Sequence, residues 1–123
     1  APCAATGTTR RHPDLPYVKT AEQIGLLAVL QGQMLEKSAR HVRPGGTLVY
    51  CTCSLEPEEG EFQIENFLEN NPHFSLVPLT PGEEGIEGHF VSPAGHLRTL
   101  PHMQIGASET LDGFFAARLT RRN

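Results

Sequence analysis

Pro44-Gly45-Gly46-Thr47-Leu48-Val49-Tyr50-Cys51-Thr52-Cys53-Ser54-Leu55-Glu56-Pro57-Glu58-Glu59 is the stretch on which the fold turns. Pro44-Gly45-Gly46 ends what precedes it and reverses the chain. Thr47 to Thr52 is mostly apolar and rich in β-formers, as in a strand covered on both faces in a parallel sheet. Cys53-Ser54-Leu55 leaves that strand. A helix follows from about Pro57 to Asn70, with proline and glutamates in its first turn and Asn70-Asn71-Pro72 at its end. Strand, turn and helix in succession point to an α/β protein.

Upstream of this stretch, Ala21 to about Val42 reads as a helix. Thr20 caps it, with Gln23 completing a capping box. Ile24, Leu27, Leu30, Met34 and Leu35 recur at helical spacing and are expected on its buried face. Residues 1–19 read as loop, broken by Gly7, Pro13 and Pro16. Downstream, Phe74–Leu79 is a short strand candidate, residues 80–94 read as loop, and Gly95–Leu100 as a short extended piece. Leu111-Asp112-Gly113 is a turn before a last apolar strand, Phe114–Leu119. Helix–strand alternation closed by a final strand pair implies an α/β sheet with an antiparallel edge.

At 123 residues the chain is long enough for one small domain. An apolar share of 38% against a charged share of 20% is that of a globular core, not of general disorder. No apolar run is long enough to cross a bilayer, and the first residues carry no signal pattern. A soluble, cytoplasmic protein with no membrane partner is expected. The net charge of -4 argues against unspecific nucleic-acid binding by the chain as a whole. The charge is uneven, however. Arg10, Arg11 and His12 cluster early, and Arg118, Arg121 and Arg122 late, so a local basic face can coexist with the acidic total. Three cysteines, an odd number, argue against a disulfide framework.

Cys53 lies just past the carboxyl end of the expected strand, where open α/β sheets bind ligands. A helix N-terminus nearby is expected to lower its thiol pKa. Thr52 and Ser54 offer hydroxyls to orient a ligand. Position alone favours a small buried residue at a strand end over a catalytic one. Cys3 follows Pro2 and opens the loop Ala4-Ala5-Thr6-Gly7-Thr8; its plain reading is a loop cysteine. Cys51 lies two residues before Cys53 and reads most simply as core. A metal site built from Cys3, Cys51, Cys53 and His12 lacks a usual zinc spacing. Arg10 and Arg11 fit phosphate contact or a solvated turn. The role of Gln31 is open.

Taken together, APCAATGTTRRHPD (1–14), PGGTLVYCTCSLEPEE (44–59) and DGFFAARL (112–119) resemble, in order and spacing, the Sun/Fmu-type RNA (cytosine-5) methyltransferases of the Nop/Sun family. The resemblance runs from Ala1 to Arg121 and is weakest over residues 80–110. Either cysteine motif alone would be weak; the pair is specific. The resemblance implies a partial Rossmann-like methyltransferase fold: the C-terminal half of the sheet with an antiparallel edge hairpin. It also implies transfer of a methyl group from S-adenosylmethionine to carbon 5 of a cytosine, in ribosomal or transfer RNA. Cys53 would be the nucleophile adding to carbon 6 of the base. Cys3 would assist release of the methylated product, and Pro2 would shape its loop. Thr52, Ser54, Arg10 and Arg11 would lie along the bound RNA. If Cys3 follows a strand neighbouring Thr47–Thr52, the two exits stand about 5 Å apart, and both thiols reach one base extruded from its stack.

Several family features fall outside this sequence. The aspartate expected before Ala-Pro-Cys, the glycine-rich cofactor loop and the acidic ribose-binding residue would all precede Ala1. No G-x-G-x-x-G is present. Ala4 stands where serine is common, a change expected to matter little. The expectation is therefore that residues 1–123 form the C-terminal portion of a catalytic domain, with the cofactor-binding half absent and the piece inactive alone. The sheet edge left open would favour self-association. The competing readings are a non-catalytic α/β interaction module with core cysteines and a small metal-binding domain.

Overall fold

The structure, a computed structural model, describes residues 1–14, 20–105 and 109–122. Two helices and six strands follow in the order α1 (Ala21–Ala39), β1 (Thr47–Thr52), α2 (Glu61–Asn70), β2 (Phe74–Leu76), β3 (Leu97–Thr99), β4 (Gln104–Ile105), β5 (Glu109–Thr110) and β6 (Phe114–Arg121). Single 3-10 turns cover Thr6–Thr8 and Pro57–Glu59. The loop expected over residues 1–19 is thus interrupted at Thr6, and its part at 15–19 lies outside the described residues.

The last strand organises the sheet. On one side β6 pairs antiparallel with all of β1, from Thr47↔Thr120 to Thr52↔Phe115. On the other it pairs with β2 near its end and with β3 near its start, again antiparallel. Antiparallel pairing was expected, but β6 lies in the middle of these strands rather than at their edge. Period-two alternation along β6 sends Phe115, Ala117 and Leu119 inward, each 1% exposed or less. They join Leu35, Ala39, Tyr50, Ile64, Phe67 and Phe74 in one core.

In β1 the same alternation leaves Thr47 and Val49 exposed while Tyr50 and Thr52 are buried. The strand is therefore covered on one face in this chain, not on both as its composition implied. Thr20 caps α1 through the full reciprocal box with Gln23. Its buried face is Gln31, Leu35 and Ala39, spaced four apart, whereas Leu30 and Met34 are both 43% exposed. The apolar pattern of α1 is wide enough to allow two faces, and the polar Gln31 marks the one the core took. A hinge at Gly60 replaces the continuous helix expected from Pro57, dividing it into the turn Pro57–Glu59 and α2.

Phe115 has no exposed surface and meets Tyr50 edge-on at 6.4 Å, His96 at 5.1 Å and the Arg98 guanidinium at 4.9 Å. Replacing Phe115 by alanine should cost about 3–5 kcal/mol in urea unfolding. A loss below about 1 kcal/mol would show that β6 is not the hub of the core.

Candidate active site

Three backbone segments meet at the carboxyl end of β1. The loop Pro2–Gly7, the turn Cys53–Leu55 and the turn before β6 are stitched together by main-chain bonds. The Gly7 N–H donates to the Cys53 carbonyl at 2.8 Å, and the Gly113 N–H donates to the Gly7 carbonyl at 2.7 Å. A Cβ on Gly7 would stand 2.3 Å from the Gly113 oxygen and 2.4 Å from the Cys53 oxygen. Only glycine allows this approach. The Thr6 hydroxyl accepts from the Leu55 N–H at 2.9 Å and lies 3.3 Å from the Ser54 hydroxyl.

This stitching brings the two sequence-distant cysteines into contact. Cys3 Sγ and Cys53 Sγ are 3.3 Å apart. Both are partly exposed, as is Cys51. Cys51 is therefore not the core residue its strand position implied, because β1 lacks cover on that face. Cys3 reaches Cys53 from a loop beside β1 rather than from the end of a described strand.

The helix-terminus argument for a low thiol pKa at Cys53 does not hold. Burial pushes the thiol up to about 11, and the hydrogen bond and charge of Cys3 push in the same direction. A half-buried thiol facing a second thiol is a poor place for a negative charge, and α2 begins eight residues further on.

Thr52 and Ser54 point inward, with 3% and 0% exposure. Their hydroxyls are engaged inside the protein. Thr52 Oγ1 accepts from the Ser54 N–H at 3.3 Å, and the Ser54 hydroxyl donates to Glu59 Oε1 at 2.7 Å. The expected direct role in orienting a ligand is replaced by a role in fixing the Cys53 turn. Pro2 is exposed, and its carbonyl accepts from Gln31 Nε2 at 2.6 Å.

Arg10 and Arg11 are exposed and share one carboxylate. Arg10 Nε donates to Asp112 Oδ1 at 2.6 Å, and Arg11 pairs with Asp112 Oδ2. The Arg10 hydrogen bond, with both guanidinium charges, holds the Asp112 carboxyl below its ordinary value. Two cations on one anion leave a net positive charge one residue from Gly113.

Sequence reasoning missed Glu59, Tyr50 and Arg98. In the sequence Glu59 is one of the glutamates in the first turn of the helix expected from Pro57, yet it has no exposed surface. The Tyr50 hydroxyl donates to the Glu59 carbonyl at 2.6 Å. Arg98 donates to the Ser54 carbonyl at 2.6 Å and forms a two-pronged pair with Glu61. Burial raises the Glu61 carboxyl, but the Arg98 bonds and charge outweigh it and leave it below its ordinary value. Nothing local in the sequence distinguishes Arg98 from a surface arginine. Nothing local in the sequence sets Glu59 apart from its neighbours Glu56 and Glu58 either.

Among the described residues no group of three His, Cys, Asp or Glu side chains is placed to hold a metal ion. No described helix is long and apolar enough to cross a membrane. A groove lined by Val29, Gly32, Phe62 and Asn66 runs between α1 and α2, away from the thiols.

Residues 1–120 match the family described as 16S rRNA methyltransferase RsmB/F. The chain is 39% identical over 126 aligned residues to the ribosomal RNA small subunit methyltransferase B of Klebsiella pneumoniae (strain 342), covering 99% of this chain and 25% of that protein. The Vibrio cholerae protein of the same name is 37% identical, covering 100% and 25%. Among solved structures, NSun6 from Pyrococcus horikoshii with SFG superposes with a TM-score of 0.72 at 26% identity, covering 100% of this chain and 29% of that one. A methyltransferase homologue from the same organism gives a TM-score of 0.66 at 32% identity, covering 100% and 37%. The chain thus spans about a quarter of the length of the curated relatives it matches.

Two outcomes follow from this geometry. Gly7→Ala should destabilise the protein by about 1–3 kcal/mol through forced backbone displacement, read by thermal or urea unfolding; unchanged stability would mean that the glycine contact does not hold the loops together. Alkylation of Cys53 by iodoacetamide should keep accelerating between pH 9 and 11, because only the thiolate reacts and the folded pKa lies above the ordinary 9.0. Cys3→Ala removes two of the upward influences, so the midpoint should move down. An identical profile in that variant would contradict the thiol coupling.

Proposed function

Because the chain belongs to the RsmB/F family of 16S rRNA methyltransferases, we propose that it carries the paired cysteines of an RNA cytosine-5 methyltransferase. In this reading residues 1–123 are the C-terminal portion of the catalytic domain. The observation that supports it best is the 3.3 Å contact between Cys3 and Cys53, made by residues fifty positions apart. Core cysteines, the alternative, would be buried, and none of the three is.

Cys53, its thiol proton released to solvent, adds through Sγ as thiolate to carbon 6 of the cytosine, and the electron pair of the 5,6 double bond moves to carbon 5. That step is needed because carbon 5 of the intact aromatic ring is a weak nucleophile. S-adenosylmethionine supplies the electrophilic methyl group; SFG, the ligand in the archaeal NSun6 structure, is an analogue of it. Among the described residues no glycine-rich turn of the kind that cradles such a cofactor stands beside the cysteines, and none is assigned to holding it. A base then takes the carbon-5 proton; the C–H electron pair re-forms the 5,6 double bond, and the Sγ–C6 bond breaks with its pair on sulfur, which frees Cys53 as thiolate. Cys3, in contact with that sulfur, assists this release.

Arg10 and Arg11 are the proposed backbone contacts. They sit close to the cysteine loop, and Asp112 steers both guanidinium groups without cancelling their charge. Thr52 and Ser54 act on the base indirectly, through the turn they hold, and Pro2 through the path of the Cys3 loop. Ribosomal RNA is the proposed substrate and the cytoplasm the proposed compartment. Self-association through the β1 edge is the proposed behaviour of this chain when isolated.

In the whole enzyme, Cys53→Ala should abolish methyl transfer to RNA. Cys3→Ala should instead accumulate a covalent enzyme–RNA adduct visible on denaturing gels. Full methylation by the first variant would overturn the nucleophile assignment, and absence of the adduct from the second would overturn the release role.

A further inference from the structure

A buried carboxylate is bonded to the neighbours of both thiols. Glu59 is wholly buried, and its carboxylate accepts hydrogen bonds from three directions. The Ala4 N–H, next to Cys3, reaches Oε2 at 3.1 Å and Oε1 at 3.3 Å. The hydroxyl of Ser54, next to Cys53, donates to Oε1 at 2.7 Å. Gln31 Nε2, from α1, donates to Oε2 at 2.6 Å and also to the Pro2 carbonyl at 2.6 Å. Each cysteine therefore has an adjacent residue bonded to the same carboxylate. Ala4 has no exposed surface, so its position is packed against this network rather than peripheral.

We propose that Glu59 is a positioning residue: by holding the Ala4 N–H and the Ser54 hydroxyl at once, its carboxylate sets the distance between the Cys3 and Cys53 sulfurs, with Gln31 locking the arrangement to α1. The assignment deepens the two-cysteine reading above and rests on it for its catalytic meaning. An amide cannot do the same work. Glutamine at this position turns an N–H toward one of the three donors, which then loses its acceptor in a wholly buried site.

The test uses the whole methyltransferase that carries this chain, equilibrated with oxidised and reduced glutathione. Two thiols and one oxidised glutathione yield the Cys3–Cys53 disulfide and two reduced glutathione molecules, each taking one thiol proton. The equilibrium constant, read by thiol trapping and peptide mass mapping, reports how well the sulfurs are placed. Glu59→Gln should lower that constant by at least about tenfold, and should lower kcat far more than it raises KM for RNA, while the melting temperature and far-UV signal show a folded protein. Ser54→Ala removes one donor and leaves the carboxylate, so it should lower the constant less. It also serves as the deciding variant if Glu59→Gln does not fold. A disulfide constant within twofold of the parent in folded Glu59→Gln, or in Ser54→Ala where only that variant folds, would overturn the proposal. The readout requires no methyl transfer, so it fails separately from the cytosine-5 reading, which Cys53→Ala tests.

Discussion

A carboxylate with no exposed surface must be surrounded by donors, and that requirement shapes the whole upper end of β1. Glu59 has no cationic partner among the described residues; its donors are a backbone amide, a serine hydroxyl and a glutamine amide. Leaving any one of them unmade would cost a buried polar group its partner. The Cys3 loop, the Cys53 turn and α1 are thereby obliged to converge. Tyr50 completes the enclosure by donating to the Glu59 main chain from the core side. The polar cluster and the aromatic core thus share a wall, and the site inherits the rigidity of the sheet beneath it.

The elements of the fold were largely legible because each carries its own local signal. Thr47–Thr52 forms a strand over the expected residues, and Thr20 with Gln23 starts α1 at the expected place. What local pattern does not encode is partnership. β1 reads as a doubly covered parallel strand from composition, yet its described partner is antiparallel and one of its faces is open. On α1 two apolar stripes compete, and only the tertiary position of Gln31 decides between them.

The candidate site was legible in a similar way. The cysteines stood out through paired motifs, and the structure brings the sulfurs of Cys3 and Cys53 to 3.3 Å. The environment of those cysteines was not visible. Whether a thiol near a helix is favoured as thiolate depends on desolvation and on what faces it, and both oppose ionisation at Cys53. Glutamates 56, 58 and 59 are neighbours in sequence, but only the last turns inward, because the 3-10 turn at Pro57–Glu59 rotates it toward Ala4 and Ser54. Ser54 and Thr52 carry the right chemistry for binding a base but are committed to holding the chain.

The central place of β6 has a temporal consequence. A ribosome makes β1, β2 and β3 before β6, and each of these strands finds its described sheet partner only in that last one. The Gly113 amide that braces Gly7 is also made late. Until residues 113–121 leave the exit tunnel, the earlier strands have no ladder to join and the cysteine loop lacks its brace. Assembly of the sheet therefore waits on its central strand: the thiols meet in their final geometry only after nearly all of this segment has been synthesised.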